Sequence, residues 1–236
     1  MDHSIQTDDL GVDQDGTIHV PDVIPVFPLP NTVLLPGEVL PLHIFEPRYR
    51  AMVKDALGSH RVIGMVQALP EETDDDSGAA KIRDVGCLGL IAQHQELPDG
   101  RFLMWLLGVE RFQVDEELPT PTAYRQVRVH YTPEQESAQR LAGILPLRQE
   151  LRTMLPRLLE ADDSTRTMLA RQMAEVTDTQ LIALACQILE LDADRKQELL
   201  EAPSQTDRFL MIYEDVYRHL ELNPDEEGDL DPSMLN

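Results

Sequence analysis

Proline is concentrated in the first strand-like part of the chain, and it restricts the possible folds of this region more than any other feature. Pro25, Pro28, Pro30, Pro36 and Pro41 lie within or between short apolar runs. A proline has no N–H to donate to a strand ladder, so it occurs at edges, bends and bulges and not in a flat central strand. We therefore predict a bent, barrel-like sheet.

Short apolar runs separated by turn residues continue as far as Tyr131. Runs rich in Val and Ile and bounded by Pro and Gly are typical of β-strands. They are Val23–Leu29, Val33–Leu35 with Val39–Ile44, Val62–Ala68, Val85–Gln95, Phe102–Val109 and Tyr124–Tyr131.

Two segments between these runs carry further signals. Pro98–Asp99–Gly100 predicts a hairpin turn, which would make the strands Cys87–Glu96 and Arg101–Val109 antiparallel neighbours. Pro70–Lys81 contains no apolar residue larger than Ala, and we interpret it as an acidic loop.

Helical signals occur once inside the strand-rich part and dominate after it. Glu46–Pro47 is a favourable helix start, and Gly58 supplies the end. From Pro133 onward, apolar residues recur at the i, i+3, i+4 spacing of helices, which predicts a bundle of four or five helices. Three segments predict helix starts, and they are Thr177–Gln180, Asp192 and Ser204–Asp207.

The predicted fold class is therefore α+β. We expect an acidic disordered tail at residues 1–19, a β-rich subdomain at 20–131, a helical subdomain at 132–222 and a second acidic disordered tail at 223–236. The two ends support the tails, because residues 1–19 hold five acids and no base, and residues 221–236 hold six acids and no base.

Charge and hydropathy narrow the expected partners. The chain has 43 acidic and 20 basic residues, which gives a formal charge of −23. Nucleic-acid binding draws most of its non-specific affinity from clustered Lys and Arg, so we expect no nucleic-acid partner.

No apolar run approaches the roughly 18 residues of a membrane span, and the N-terminus lacks a basic start before an apolar stretch. We expect a cytoplasmic protein that does not enter membranes.

The sequence contains none of the common catalytic motifs. Phosphate-binding glycine loops, the G-x-S-x-G elbow, H-E-x-x-H and C-x-x-C are missing from its 236 residues. We therefore predict no catalytic residues, no metal site and no cofactor. Cys87 and Cys186 lie far apart in apolar surroundings, and we interpret both as buried free thiols.

Three residues have two interpretations each. For His43 we favour a ring packed in the sheet, and the alternative is a catalytic base oriented by Glu46. For Trp105 we favour a core position in the middle of a strand, and the alternative is an exposed side chain that anchors a ligand. Arg111 can hold a carboxylate either of the chain or of a ligand.

Five segments together resemble the N-terminal domain of Lon proteases. They are PVFPLPNTVLLPGEVLPLHIFEPRYRAMVKDAL, VIGMV, DVGCLGLI, DGRFLMWLLGVERF and RKQELLEAPSQTDRFLMI, and they span Ile24 to Leu220 in the order of the family. The resemblance implies a PUA-like mixed β pseudo-barrel with one helix, followed by a helical bundle. This agrees with the change of composition near Tyr131.

The resemblance also implies a function. Full-length Lon continues into an ATPase module and a peptidase with a Ser–Lys dyad, and this sequence has no phosphate-binding loop, so we expect it not to be an enzyme. The part that it resembles helps Lon to recognise unfolded or tagged protein substrates. Our leading hypothesis is a module that binds polypeptide segments or unfolded proteins, as an adaptor or a regulator of a proteolytic complex.

Two alternatives and several details stay open. The alternatives are a PUA-type RNA-binding protein and a small-molecule enzyme that uses His43, Glu46 and Arg48. The client and the oligomeric state are open as well. The candidate peptide-binding residues are Arg48, Tyr49, Trp105 and Arg111.

Overall fold

A computed structural model describes residues 20–74, 79–131, 136, 138–159, 162–173 and 175–222 of the 236-residue chain. The predicted tails at 1–19 and 223–236 lie outside the described residues. Contacts divide the chain into two compact units. The sheet unit takes the described residues up to 131 and Leu191–Ala202, and the helical unit takes those from 136 to Glu190 and from Pro203 onward.

The described part of the sheet unit contains seven strands, and five of them form a closed ring. The strands are β1 (Val23–Leu29), β2 (Val39–Ile44), β3 (Val62–Asp74), β4 (Ala79–Ile82), β5 (Val85–Glu96), β6 (Phe102–Leu118) and β7 (Gln126–His130). The neighbours β1–β7–β6–β5–β3 pair antiparallel, and β1 then pairs with β3 in parallel. This last pairing closes a mixed barrel, which confirms the predicted fold class.

The barrel is filled by apolar side chains from the ring strands. Where β1 meets β3, Val26 stands opposite Gly64, and a Cβ added to Gly64 would lie 2.7 Å from the Cδ1 atom of Ile24. Glycine at this position therefore lets the two strands and their side chains approach closely. The buried cluster consists of Ile24, Val26, Val62, Val66, Leu88, Leu90, Phe112, Val127 and Val129.

Strands β2 and β4 lie outside the ring. β4 pairs with the second half of β3, where Leu69 is opposite Lys81 and Thr73 is opposite Ala80. The interpretation of Pro70–Lys81 as a loop is therefore wrong for its described residues. Hydrogen bonds between strands use backbone groups, so a segment without large apolar side chains can still pair when its neighbour is at hand.

The single helix predicted between the strands is present as α1 (Pro47–Leu57). Pro47 occupies the first turn, and the N–H of Gly58 closes the last turn on the carbonyl of Lys54 at 3.1 Å. The helix buries its apolar face, which comprises Tyr49, Met52, Val53 and Ala56.

Helix α6 (Ala193–Glu201) belongs to the sheet unit, although the predicted boundary after residue 131 assigned it to the helical subdomain. Its Lys196 Nζ lies 2.6 Å from Glu38 Oε1, and Gln67 Nε2 donates to Asp194 Oδ1 at 3.0 Å. Glu38 is 5% exposed, so the lysine neutralises a buried acid. Polar pairing across a large sequence separation therefore fixes the position of this helix.

The described part of the helical unit contains five helices and one 3-10 turn. They are α2 (Ala138–Gly143), α3 (Leu145–Met154), the turn Leu155–Leu158, α4 (Asp163–Met173), α5 (Asp178–Ile188) and α7 (Gln205–Leu222). Between α2 and the 3-10 turn, the helical chain is interrupted at Ile144 and again at Leu155. Each interruption places a proline, Pro146 or Pro156, in the first turn of the element that follows.

The predicted helix caps are confirmed. Thr177 and Gln180 form a reciprocal capping box at the start of α5. Asp192 Oδ1 accepts a hydrogen bond from the Arg195 N–H at 2.8 Å, which caps α6. Ser204 Oγ accepts from the Asp207 N–H at 3.1 Å before α7.

The thiols and the helix lengths bear on two further expectations. Cys87 and Cys186 are both buried and free, as predicted, and burial raises the pKa of the Cys87 thiol. Across the described ranges, no helix combines the length and the apolar character needed to cross a membrane.

Substitution of Gly108 tests the close packing of the barrel wall. A Cβ at this position in β6 would lie 2.1 Å from the carbonyl oxygen of Leu35, so the backbone must shift. We expect Gly108→Ala to lower the free energy of unfolding by about 1–3 kcal/mol, measured by urea titration of the Trp105 fluorescence. Trp105 lies in the same strand and reports the sheet unit, and circular dichroism in the same titration reports the helices of both units.

Gly143→Ala is the matched control. Gly143 ends α2, and no atom lies within 4 Å of a Cβ added there. Alanine stabilises a helix by roughly 0.5–1 kcal/mol relative to glycine, so we expect no loss of stability. An equal loss in both variants would show that crowding at Gly108 is not the cause.

Candidate functional site

Side chains of β2 alternate between two environments. Leu40, Leu42 and Ile44 turn inward, and Ile44 is fully buried, whereas Val39, Pro41 and His43 are exposed. Successive side chains of a strand point to opposite faces, so one side of β2 faces the interior and the other faces outward.

The outward side continues across the neighbouring strand. In the antiparallel pairing of β2 with β6, Leu107, Trp105 and Leu103 stand opposite the exposed residues of β2. Phe45 follows β2 by one residue and keeps the same alternation. We call this surface the outer β2–β6 face, and its residues are Val39, Pro41, His43, Phe45, Leu103, Trp105 and Leu107.

Three large apolar side chains on this face are open to solvent. Val39 is 46% exposed, Phe45 is 59% exposed and Trp105 is 38% exposed. Isolated exposed apolar residues are ordinary, whereas a group on one face is typical of an interaction surface. The core position favoured for Trp105 from sequence is therefore wrong, and the alternative of an exposed residue is correct.

His43 lies on the same face, and its predicted packing within the sheet is wrong. The residue is exposed, and its ring centroid lies 6.0 Å from that of Phe45. Glu46, proposed as the group that would orient His43, accepts a hydrogen bond from Arg48 Nε at 2.9 Å. Among the described residues, no three His, Cys, Asp or Glu side chains are placed to hold a metal ion.

Arg48 and Tyr49 begin α1 next to this face but differ in exposure. The Arg48 side chain is 53% exposed, and its guanidinium carbon lies 4.4 Å from the centroid of the Tyr49 ring. Tyr49 itself is 5% exposed, with its ring centroid 4.3 Å from that of Phe27. Burial raises the pKa of Tyr49, and the nearby Arg48 charge opposes that rise.

Arg111 has a structural contact within the sheet unit. Its Nη1 atom donates to the carbonyl oxygen of Ala202 at 2.9 Å and to that of Leu200 at 3.4 Å. Both carbonyls lie at the C-terminal end of α6, where backbone acceptors lack helical partners. Arg111 therefore holds the chain's own backbone rather than a carboxylate.

The structure brings together only part of the predicted peptide-binding set. Trp105 and Arg48 are exposed, whereas Tyr49 is in the core and Arg111 anchors α6. Sequence reasoning missed Val39 and Phe45. The signal for them was the occurrence of apolar residues in both alternating sets along Val39–Phe45, since only one set of a strand can face inward.

The comparison with known families now becomes informative. The sequence profile of the ATP-dependent protease La (LON) substrate-binding domain matches residues 23–216. This chain belongs to the Lon substrate-binding domain family. The predicted resemblance is therefore confirmed, and the match covers both the sheet unit and most of the helical unit.

Full-length Lon proteases are among the relatives. A Lon protease of Dictyoglomus thermophilum is 27% identical over 215 residues, which are 87% of this chain and 26% of that protein. Lon protease 2 of Myxococcus xanthus is 26% identical over 211 residues, which are 86% of this chain and 24% of that protein. The chain thus spans about a quarter of the length of the Lon proteases that it matches.

Solved structures of Lon N-terminal domains share the fold. The N-terminal domain of a Mycobacterium avium complex Lon protease aligns with a TM-score of 0.65 at 22% identity, over 84% of this chain and 100% of that domain. A Lon N-terminal domain protein from Xanthomonas campestris aligns with a TM-score of 0.57 at 21% identity, over 80% and 96% of the two chains. The mixed barrel and its helices are therefore the fold of Lon N-terminal domains.

Removal of the Arg111 side chain tests its structural role. Arg111→Ala removes the guanidinium hydrogen bonds to two carbonyls at the end of α6, so we expect the free energy of unfolding to fall by about 1–3 kcal/mol and the amides of α6 to exchange hydrogen faster. Arg101→Ala is the control, because the side chains of Arg101 and of its ion-pair partner Asp99 are both exposed, and exposed ion pairs add little stability. Equal effects of the two substitutions on α6 exchange would contradict the assignment.

Proposed function

We propose that this chain binds apolar segments of unfolded or extended polypeptides through the outer β2–β6 face and catalyses no reaction itself. The observation that carries the proposal is the exposure of Val39, Phe45 and Trp105 on one face. The family provides independent support, because it is named for substrate binding in Lon. Arg48 and Trp105 stay in the proposed site because both are exposed, whereas Tyr49 and Arg111 are left out of it.

The chemistry of this face suits an apolar ligand. Aromatic side chains bury a large area and recur among the residues that dominate binding energy at interfaces. Burial of one aromatic side chain contributes about 1.5–3 kcal/mol, which corresponds to roughly a 10-fold to 100-fold change in affinity. A few such residues favour weak and reversible association, as a protein that releases its client requires.

Charge supports a polypeptide over a nucleic acid. Three bases of α1 and of the residue before β6 have an acidic partner within 3.3 Å, and the pairs are Arg48 with Glu46, Lys54 with Glu96 and Arg101 with Asp99. The whole chain carries −23. Because phosphate backbones bind through unpaired basic groups, we expect no RNA partner.

Two roles in proteolysis fit such a module. As an adaptor, the chain would deliver a bound client to a protease, and as a regulator it would withhold that client. Addition of the chain to a Lon protease that is degrading an unfolded client separates the two, because an adaptor accelerates degradation at low concentration and a withholding regulator slows it at every concentration. Unchanged rates at saturating chain would rule out both roles.

Substitution of the exposed aromatic residues tests the proposed binding face. We expect Trp105→Ser and Phe45→Ser each to weaken binding of a fluorescently labelled, permanently unfolded protein by about 10-fold or more. Binding is measured by fluorescence anisotropy. In the unsubstituted chain, Trp105 is the only tryptophan, so its emission gives a second, label-free signal.

Met168→Ser provides the matched control. Met168 is an apolar residue of α4 with 54% exposure, and it is outside the outer β2–β6 face. We expect its substitution to leave the affinity unchanged. The proposal fails if the unsubstituted chain shows no binding at about 100 μM unfolded protein, or if Met168→Ser weakens binding as much as Trp105→Ser does.

A further inference from the structure

Strand β2 has one open edge, and we propose that the bound polypeptide adds to it as an extended β-strand. This inference rests on the proposed function, because it names the form in which the client is held. It commits to one occupant, which is an extended segment with apolar residues at alternate positions and with Lys or Arg at its ends.

The turn before β2 fixes which backbone groups face the open edge. The N–H of Glu38 donates to the carbonyl of Leu35 at 3.0 Å, and Gly37 has a φ of +82° at the third position of this turn. Gly37 then donates to the carbonyl of Gly108 at 2.8 Å, and Gly108 donates back to the carbonyl of Glu38 at 2.8 Å. This is the pattern of a G1 bulge, and it directs the Glu38 carbonyl toward β6.

The direction of the Glu38 carbonyl fixes the direction of the backbone groups in the rest of β2. Since backbone groups of successive residues point to opposite sides, those of Leu40 and Leu42 turn toward β6 with that of Glu38. The backbone groups of Val39, Pro41 and His43 turn the other way. Among the described strands, β2 pairs only with β6, so these groups face an edge without a strand partner.

The position of the proline supports this assignment. Pro41 falls on one of the outward residues, where its missing N–H removes no bond to β6. The edge therefore offers the N–H groups of Val39 and His43, and the carbonyl groups of Val39, Pro41 and His43. A row of backbone donors and acceptors is complementary to another extended backbone, which is the basis of strand addition.

The side chains at this edge define the preferred ligand. Side chains at alternate positions of an added strand would stand beside Val39, Pro41 and His43, next to the apolar row of Leu103, Trp105 and Leu107 on β6. Apolar residues two apart in the ligand would therefore extend the outer β2–β6 face. A helical ligand would leave the backbone groups of the edge without partners.

Charge complementarity selects among extended segments. Arg48, Lys54 and Arg101 are each paired with an acid, and the chain as a whole carries −23. An acidic segment is repelled by this field, whereas Lys or Arg on either side of the apolar residues increases the rate and strength of association. The favoured ligand is thus apolar at its centre and basic at its ends.

The backbone of the ligand provides the sharpest test. A Lys-ended peptide of about seven to nine residues, with apolar residues at alternate positions, is compared with versions that are N-methylated at one amide each. We expect N-methylation at alternate amides to weaken binding by about tenfold or more, and at the intervening amides to have little effect. Trp105 fluorescence measures the affinities on the unsubstituted chain.

The outcomes distinguish this inference from the proposed function. If the parent peptide binds and no alternation appears in the N-methyl series, strand addition is wrong while apolar recognition stands. If neither the peptide nor an unfolded protein binds, the proposed function itself fails. An acidic-ended peptide that binds as tightly as the Lys-ended one would overturn the charge assignment.

Substitutions in β2 test whether the backbone groups at its open edge bind the peptide. His43→Pro and His43→Ala both remove the imidazole, but only the first removes the outward N–H. We expect His43→Pro to bind the peptide at least about fivefold more weakly than His43→Ala, and Pro41→Val, which adds an outward N–H, to bind more tightly than the unsubstituted chain. Urea titration of each variant verifies that it is folded.

Equal affinities across these variants would contradict strand addition, and the Pro41→Val result decides the matter if His43→Pro does not fold. A second copy of the chain is the competing occupant of the edge. If Pro41→Val dimerises in sedimentation experiments and its peptide affinity does not rise, the edge serves self-association and the inference is wrong.

Discussion

Parallel pairing between β1 and β3 closes the sheet into a ring, and the surfaces available on the rest of the sheet unit follow from this closure. β1 also pairs with β7, so both of its edges are used. The ring leaves β2 outside, and β6 is long enough to pair with both β2 and β7. Its first residues, Phe102 to Leu107, pair with β2, and its last residues, Gln113 to Leu118, pair with β7. Closure thus removes the free edges of the ring strands and leaves an open one at β2.

A buried acid connects that open edge to helix α6. Glu38 Oε2 accepts the N–H of Leu35 at 3.1 Å across the turn before β2, and Glu38 Oε1 lies 2.6 Å from Lys196 Nζ. One carboxylate therefore supports the bulge that orients β2 and neutralises a lysine of the helix. A lone charge in this position would cost several kcal/mol, so each partner depends on the other. Gln197 adds a hydrogen bond from α6 to the carbonyl of Val85 at 3.0 Å.

Local signals in the sequence predicted local structure well, and the errors arose where distant segments meet. The bounds of β1 and α1 and the caps at Thr177, Asp192 and Ser204 depend on neighbouring residues, which the sequence displays directly. The strand pairing within Pro70–Lys81 was missed because backbone bonds carry it. The packing of α6 on the sheet unit was missed because its hydrogen-bond partners, from Glu38 to Arg111, lie at least 89 residues away along the chain.

By itself, the sequence determined the α+β class, the helix termini, the bent proline-rich opening and membership of the Lon family, because each of these depends on residue type at short spacing. Only the tertiary structure decided which side chains of β2 and β6 face solvent and which edge of β2 is open. Trp105 and Val39 are apolar residues in strand-like runs, and nothing local distinguishes an inward position from an outward one in such runs. That distinction came from the way β2 pairs with β6 and packs on the sheet unit, which buried Ile44 and left Val39, Phe45 and Trp105 exposed.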